Sequence, residues 1–251
     1  MSSLGNTDNP SRDAVWQRPD IAEGYLAQTR QVIPLADAQL DVMHRLLDAH
    51  GVTVHTLLDL GAGDGHAAAA VMERQPVERA VLLDFSETML AAAAQRFADS
   101  PVQVEIVSGD LQATDWHDAV QALGPFDAVV SRYAIHHIPH DRKRALYADL
   151  LRFLRPAGIF INIEHVSSAS PIYEQAWARL FTDSLAAAYP EEQAQADALE
   201  AYWKRQDVQT NILAPVEDQC AWLRDAGYVD VDCAFKMFEL VIFAGRKPDA
   251  T

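Results

Sequence analysis

Short apolar runs alternate with stretches of helical spacing through the middle of the chain. Residues 55–60, 79–84, 103–107, 126–131 and 157–164 are mostly apolar and short, as buried strands are. Residues 66–75, 86–98 and 142–154 between them have helical patterning, and a shorter helix is expected after Asp115. Such alternation predicts a parallel sheet covered by helices on both faces. It stops after Glu164. Residues 168–206 read as helical, with Trp177, Leu180, Phe181 and Leu185 at helical spacing and then Tyr202 and Trp203. Residues 216–226 form an amphipathic pattern closed by Gly227, a residue suited to a helix C-terminus. Residues 228–235 and 238–245 read as a final antiparallel pair. Upstream, Trp16 to about His50 is helical, with Leu40, Met43, Leu46 and Leu47 on one face and Pro34 separating two helices. Residues 1–13 are polar and expected to be disordered.

The expected architecture is therefore α/β, a mostly parallel seven-stranded sheet with helices on both faces. Residues 1–54 are expected to form an N-terminal helical lid and residues 55–166 the ligand-binding core. Residues 167–215 read as an inserted helical cap, and residues 216–251 as the helix and strand pair that complete the core. In such sheets ligands bind at the carboxyl ends of the strands, where Gly61, Asp84, Asp110 and Ser131 all fall.

The first strand runs into Gly61-Ala62-Gly63-Asp64-Gly65, and an alanine-rich helix follows. Bare backbone at such a turn admits a small ligand closely. A dinucleotide fingerprint needs its third glycine at position 66, which is His66; the third glycine comes one residue early. No Lys-Ser/Thr pair follows, so a phosphate-cradling loop is disfavoured. What remains is a nucleoside without a phosphate chain. Asp84 closes the second strand roughly 20 residues on, where a carboxylate accepts from ribose hydroxyls, and the Phe85 ring is placed to lie on adenine.

Charge narrows the partners. The chain has 251 residues, 36 acidic against 20 basic, and a formal charge of −16. An acidic chain is poorly suited to a long polyanion, and the one compact basic cluster, Arg142-Lys143-Arg144, reads as the solvated face of a helix. Two cysteines are too few for a disulfide framework, and no apolar run is long enough to span a membrane. A cytoplasmic protein acting on a small molecule is expected. The oligomeric state stays open, a homodimer being one outcome.

Together these residues resemble the class I S-adenosylmethionine-dependent methyltransferases, whose fold is a Rossmann-like sheet. The matching pieces are Leu57-Leu58-Asp59-Leu60-Gly61-Ala62-Gly63-Asp64-Gly65, then Asp84, then Ser108-Gly109-Asp110-Leu111. Phe126-Asp127-Ala128-Val129-Val130-Ser131 leading to His136-His137-Ile138 follows, then Leu154-Arg155-Pro156-Ala157-Gly158. The resemblance implies S-adenosylmethionine as cosubstrate. It places Gly61, Ala62 and Gly63 against the methionine part, Asp84 on the ribose, Phe85 beside adenine, Asp110 and Leu111 around the adenine, and Ser131 near the methionine end. Asp59 and Asp64 add to an acidic field that suits an ammonium and a sulfonium. The flanks are similar to carboxy-S-adenosylmethionine synthase and its methyltransferase-like relatives, through Tyr25, Arg30 and Ile33-Pro34, and through Val216-Glu217-Asp218-Gln219. That resemblance adds Tyr25 and Arg30 to the cosubstrate contacts. Leu35-Ala36 stands where the synthase pattern has a tyrosine, and the synthase's cap arginine has only Lys204 or Arg205 as counterpart. A methyltransferase is favoured over the synthase, over a tRNA-modifying enzyme and over a cofactor-binding protein without catalysis.

Methyl transfer from a sulfonium is an in-line displacement that needs alignment, exclusion of water and, for some acceptors, a base. The candidates are His136, His137 and Glu164, with His165 beside them, and histidine titrates near neutrality. One of the adjacent imidazoles closing the loop before Pro139 is the structural alternative. Arg132 and Tyr133 are candidate acceptor contacts. His136, His137, His140 and Asp141 lack the spacing of a metal site, and no metal is expected.

Overall fold

The computed structural model describes residues 16–24, 33–189, 191, 197, 200 and 211–250. Its strands are β1 Thr56–Leu60, β2 Arg79–Asp84, β3 Gln103–Ser108, β4 Phe126–Arg132, β5 Leu154–His165, β6 Val229–Met237 and β7 Leu240–Arg246. They form one sheet in the order β3-β2-β1-β4-β5-β7-β6. The first five strands run parallel, and β7 is antiparallel to both β5 and β6. The chain winds outward one way from β1 through β2 and β3, then returns to place β4 on the other side of β1. That reversal opens a crevice above the carboxyl ends of β1 and β4.

The helices among the described residues are α1 Pro19–Gly24, α2 Ala36–Ala49, α3 His66–Arg74, α4 Glu87–Arg96 and α5 His117–Leu123. They continue with α6 His140–Phe153, α7 Pro171–Ala188 and α8 Val216–Ala226, and a 3-10 turn spans Ile135–His137. Successive strand residues point to opposite faces, and the central strands are buried on both. Leu58, Val129 and Phe160 face α6 and α8 with Leu146, Leu150 and Leu223. Leu57, Val130 and Ile161 face α2 and α3 with Met43, Leu47, Ala68 and Val71. Burial of each such side chain contributes about 1.5–3 kcal/mol, which explains why β1 and β2 read as unbroken apolar runs.

The expected seven-stranded, mostly parallel α/β sheet is the one observed. Strand five differs: it begins at Leu154, three residues before the expected start. Pro156 bars helical backbone at Arg155, so α6 ends at Phe153 and the chain enters the strand directly. A register shift between Phe126 and Ala128 absorbs the change.

The basic cluster is also not the solvated face expected. Lys143 is fully buried, and its ammonium bonds the carbonyls of Ile138 and Ile212. Burial lowers its pKa to about 8. Arg142 donates to the Leu111 carbonyl (2.7 Å) and to Asp149 (2.9 Å). These two cations close loops, because each sits where a turn leaves carbonyls without a helical partner. Helix α7 buries Trp177, Phe181 and Leu185 against Leu240 and packs beside Tyr133, Phe235 and Phe238. Tyr25, Arg30, Tyr202, Trp203, Lys204 and Arg205 lie outside the described residues. No described helix is long and apolar enough to cross a membrane.

Candidate active site

The crevice is a cleft with about 1050 Å³ of empty space, its open mouth included. Its floor is the turn after β1. Gly61, Gly63 and Gly65 all have positive φ (64°, 56° and 76°), the region in which a side chain strains. A Cβ on Gly61 would overlap the Cβ of Ala134, and one on Gly65 would lie 2.4 Å from Phe97 Cε2 and 2.6 Å from Leu82 Cδ2. Gly65 thus gives the close helix–strand approach that the dinucleotide pattern assigns to the next position.

Asp84 is the hinge of this half. Its Oδ2 accepts from the Gly63 N–H (2.8 Å) and its Oδ1 from the Ser86 N–H (2.9 Å). Burial raises its pKa, and the N–H groups of Ser86, Gly63 and Phe85 oppose that rise. A carboxylate has about four acceptor sites, so these three N–H groups leave at least one for a ligand. Asp59, one strand over, is buried as well. Oδ2 accepts from the Ala68 N–H at the start of α3 (2.9 Å), while Oδ1 has no partner. Burial lifts its pKa to about 7. The Asp64 carboxylate pairs with Arg96. Phe85, Asp110 and Leu111 complete the wall, with the Asp110 turn fixed by the Gln112 N–H to Oδ1 (2.9 Å) and by Trp116 Nε1 to its carbonyl (2.8 Å).

The other half follows β4 and β5. Arg132, Tyr133, Ala134, His137 and Ile138 line the cleft, and Trp16 lies edge-on to His137 with ring centroids 5.5 Å apart. Tyr133 takes φ +55° and donates to the buried Gln39 of α2 (2.7 Å), tying the N-terminal helix to the end of β4. Ser131 lies beneath the surface, its hydroxyl donating to the Leu60 carbonyl (2.8 Å).

His136 and Glu164 sit behind the wall rather than on it. His136 Nδ1 is 2.5 Å from Glu164 Oε1, and both side chains are buried. Burial pushes His136 well below its ordinary value and lifts Glu164. Glu164 also accepts the His165 N–H (2.8 Å). His165 Nε2 lies 2.6 Å from Glu239 Oε2, and Ser168 donates to the other oxygen of Glu239 (2.6 Å).

Of the residues singled out in the sequence, Asp59, Gly61, Ala62, Gly63, Asp84, Phe85, Asp110, Leu111 and His137 share the cleft wall, whereas Ser131, His136 and Glu164 do not reach it. Sequence reasoning missed Gln39, Met89, Gln112 and Glu239. An acid at position 239, between Phe238 and Leu240, was the one available signal for any of these. Among the described residues, no three His, Cys, Asp or Glu side chains converge as a metal site would require.

The strand order, the glycine turn and the strand-end acid define the class I S-adenosylmethionine-dependent methyltransferase fold. Residues 57–158 match the family model of the methyltransferase domain. Trans-aconitate 2-methyltransferase of Azoarcus sp. (strain BH72) is 36% identical over 104 residues, covering 41% of this chain and 36% of that protein. Demethylmenaquinone methyltransferase of Chlamydia caviae is 34% identical over 119 residues, 47% of this chain and 48% of that protein. This chain therefore spans 36% to 48% of the length of these curated relatives. Among solved structures, human N-acetylserotonin methyltransferase in complex with S-adenosylmethionine superposes with a TM-score of 0.63 at 15% identity, over 98% of this chain and 61% of that one. Phosphoethanolamine N-methyltransferase 2 of Haemonchus contortus, also in complex with S-adenosylmethionine, gives 0.63 at 16% identity, over 96% and 60%. At these identities the likeness is one of fold. S-adenosylmethionine is the cosubstrate of this class.

Proposed function

We propose that the protein transfers a methyl group from S-adenosylmethionine to a small-molecule acceptor. One observation carries the reading: the buried Asp84 carboxylate anchors the Gly63 backbone and still faces the cleft with acceptor capacity to spare. A vicinal diol offers the two donors that this carboxylate lacks. The residues fit the cosubstrate in two further ways. A Cβ on Gly63 would meet only Met89 Sδ at 3.8 Å, so this stretch of the cleft wall is bare backbone, and the unpartnered Asp59 Oδ1 suits a cation.

S-adenosylmethionine supplies an electrophilic methyl group on sulfur. In this reading the chain's own residues bind, align and take up a proton. His137, on the wall across from the glycine turn, receives the acceptor's proton. Glu164 positions His136 behind it, with the two imidazole centroids 4.0 Å apart. Trp16 on the cleft wall supports a lid role, excluding water, for the described part of the segment before β1, residues 16–24 and 33–54.

A small acceptor is favoured by the charge of −16 and by the engaged state of Arg142 and Lys143. The names of the relatives, which specify trans-aconitate and demethylmenaquinone, point the same way. Free Cys220 and Cys233 fit a cytoplasmic setting. Calorimetry with S-adenosylmethionine tests the binding step, and absence of heat at millimolar ligand overturns the reading. Release of S-adenosylhomocysteine against panels of small acids, quinols and amines tests the acceptor class. Methylation of bulk tRNA with none of these panels turned over would replace it.

A further inference from the structure

The turn after β3 forms one end of the cleft, and its carbonyls face backward. The Asp110 carbonyl accepts from Trp116 Nε1 (2.8 Å) and from the Ala113 N–H (2.9 Å). Trp116 is a core residue and stands off the cleft wall. The peptide between Asp110 and Leu111 is trans, so the Leu111 N–H points opposite to that carbonyl. A main-chain donor and the Asp110 carboxylate therefore share the stretch of wall that Asp110 and Leu111 line.

Arg142 sets the attitude of this turn from behind. It stands in the first turn of α6, 31 residues beyond Leu111, and its side chain is largely buried. Nε donates to the Leu111 carbonyl (2.7 Å) and Nη2 to the Ala113 carbonyl (3.2 Å). These are the two parallel N–H bonds along one edge of the guanidinium, a fork that an ammonium does not reproduce. Nη1 donates to Asp149 (2.9 Å), two helical turns on along the same face of α6. Asp149 is itself buried, pairs also with Arg152, and lies 3.3 Å from His117 Nε2. Arg142 is not on the cleft wall, so it acts on the cleft only through the turn it grips. Removing the guanidinium leaves the Leu111 carbonyl with no donor among the described residues. A buried carbonyl without a partner shifts toward water, and the Leu111 N–H and the Asp110 carboxylate shift with it.

Resting on the reading of the cleft given above, we infer that Arg142, braced by Asp149, is a positioning residue for recognition of the cosubstrate's base. An adenine edge presents an amino donor beside a ring-nitrogen acceptor, the complement of a carboxylate beside an N–H. Hypoxanthine presents an acceptor beside a donor and mismatches both. Arg142 thereby controls selectivity between these bases without touching either.

The test compares S-adenosylhomocysteine with S-inosylhomocysteine, its hypoxanthine counterpart, by calorimetry on the full chain. Wild type is expected to prefer the adenine compound by on the order of 100-fold, as two mismatched hydrogen bonds imply. Arg142→Met should cut this ratio to about 10-fold or less, chiefly by weakening the adenine compound. Arg142→Lys should fall between, since an ammonium lacks the fork. Asp149→Asn should lower the ratio by about threefold, because the guanidinium keeps its carbonyls and loses its charged brace. A ratio unchanged in Arg142→Met, or equal loss of both compounds, shows that the contact only stabilises the fold and overturns the assignment. Equal binding of both compounds by wild type overturns it too. Failure of wild type to bind S-adenosylhomocysteine overturns the reading of the cleft as well. Should Arg142→Met fail to fold, Arg142→Lys and Asp149→Asn decide by the same ratio, which a shared loss of folded protein leaves unchanged.

Discussion

The two halves of the cleft are built from different materials. The half over β1–β3 is made of backbone and short acids: the glycine turn, the Asp84 carboxylate on the Gly63 N–H, and the Asp110 turn. The half over β4 and β5 is made of long side chains held from behind. His136 leans on Glu164, His165 on Glu239, Tyr133 on Gln39, and Lys143 on the carbonyls of Ile138 and Ile212. A ligand common to a whole class can be gripped by main chain, whose geometry survives substitution. An acceptor particular to one enzyme requires side chains, and side chains at a cleft wall need support from residues far away in the chain.

If that division is real, substitutions in the two halves should separate binding from stability. The largest effect is expected at Asp84. Asp84→Ala removes the acceptors for a diol and frees the Gly63 and Ser86 N–H groups, so affinity for S-adenosylmethionine should fall by on the order of 100-fold or more, about 3 kcal/mol. Calorimetry measures it, and a loss smaller than about threefold would remove Asp84 from the site. The mirror experiment is Glu164→Ala. Stripping one member of a buried pair costs about 3 kcal/mol, or a fall in Tm of roughly 6–12 °C for a chain of this size. Affinity for the cosubstrate should stay within about threefold. Should Glu164→Ala lose the cosubstrate as Asp84→Ala does, the halves are one unit.

The glycine turn offers a smaller and more local break. Gly61→Ala brings a methyl group onto the Cβ of Ala134 at φ +64°, with an expected loss of about 2 kcal/mol in folding stability. Pairing it with Ala134→Gly relieves the overlap but not the backbone strain, so the double variant should recover about half of the loss by chemical denaturation. Full recovery would show that strain at Gly61 contributes nothing.

The same division explains what could be read in the sequence. Each of the five parallel strands overlaps a short, mostly apolar run, and the glycines, Asp59 and Asp84 sit at fixed distances along the chain, so local pattern carried them. Helix α8 and its Gly227 stop were equally local: Gly227 has φ +106° and its N–H reaches the Arg224 carbonyl. The half over β4 and β5 is nonlocal. Nothing near Gln39 marks it as the partner of Tyr133, 94 residues later. Lys143 looked like one of three solvated cations because helical position alone does not reveal that Ile212 returns to meet it. His136 and His137 are neighbours in sequence, yet the 3-10 turn sends one inward to Glu164 and leaves the other on the wall. Only the packing of β5 decides which is which.

The smallest effect is also the most specific to the first half. Asp59 is a buried acid whose pKa stands at about 7, and the charged groups acting on it are Asp64, Asp84 and Arg132. Its ordinary value is 3.8, so the folded chain holds a proton that the unfolded chain has lost between pH 3.8 and 7. Folding stability from this group is therefore greatest at low pH and declines as pH climbs toward 7. Cosubstrate binding has the opposite sign, because a cation on Oδ1 needs the ionised form. Affinity should rise about tenfold from pH 6 to pH 8, the factor that competition with a proton at pKa 7 gives. Titration calorimetry across that range, in buffers of differing ionisation enthalpy, should also report a proton released on binding at pH 6. Asp59→Asn should flatten the profile. A profile that keeps its slope in Asp59→Asn would assign the titration to another group, the nearest being Asp84, whose pKa burial also raises.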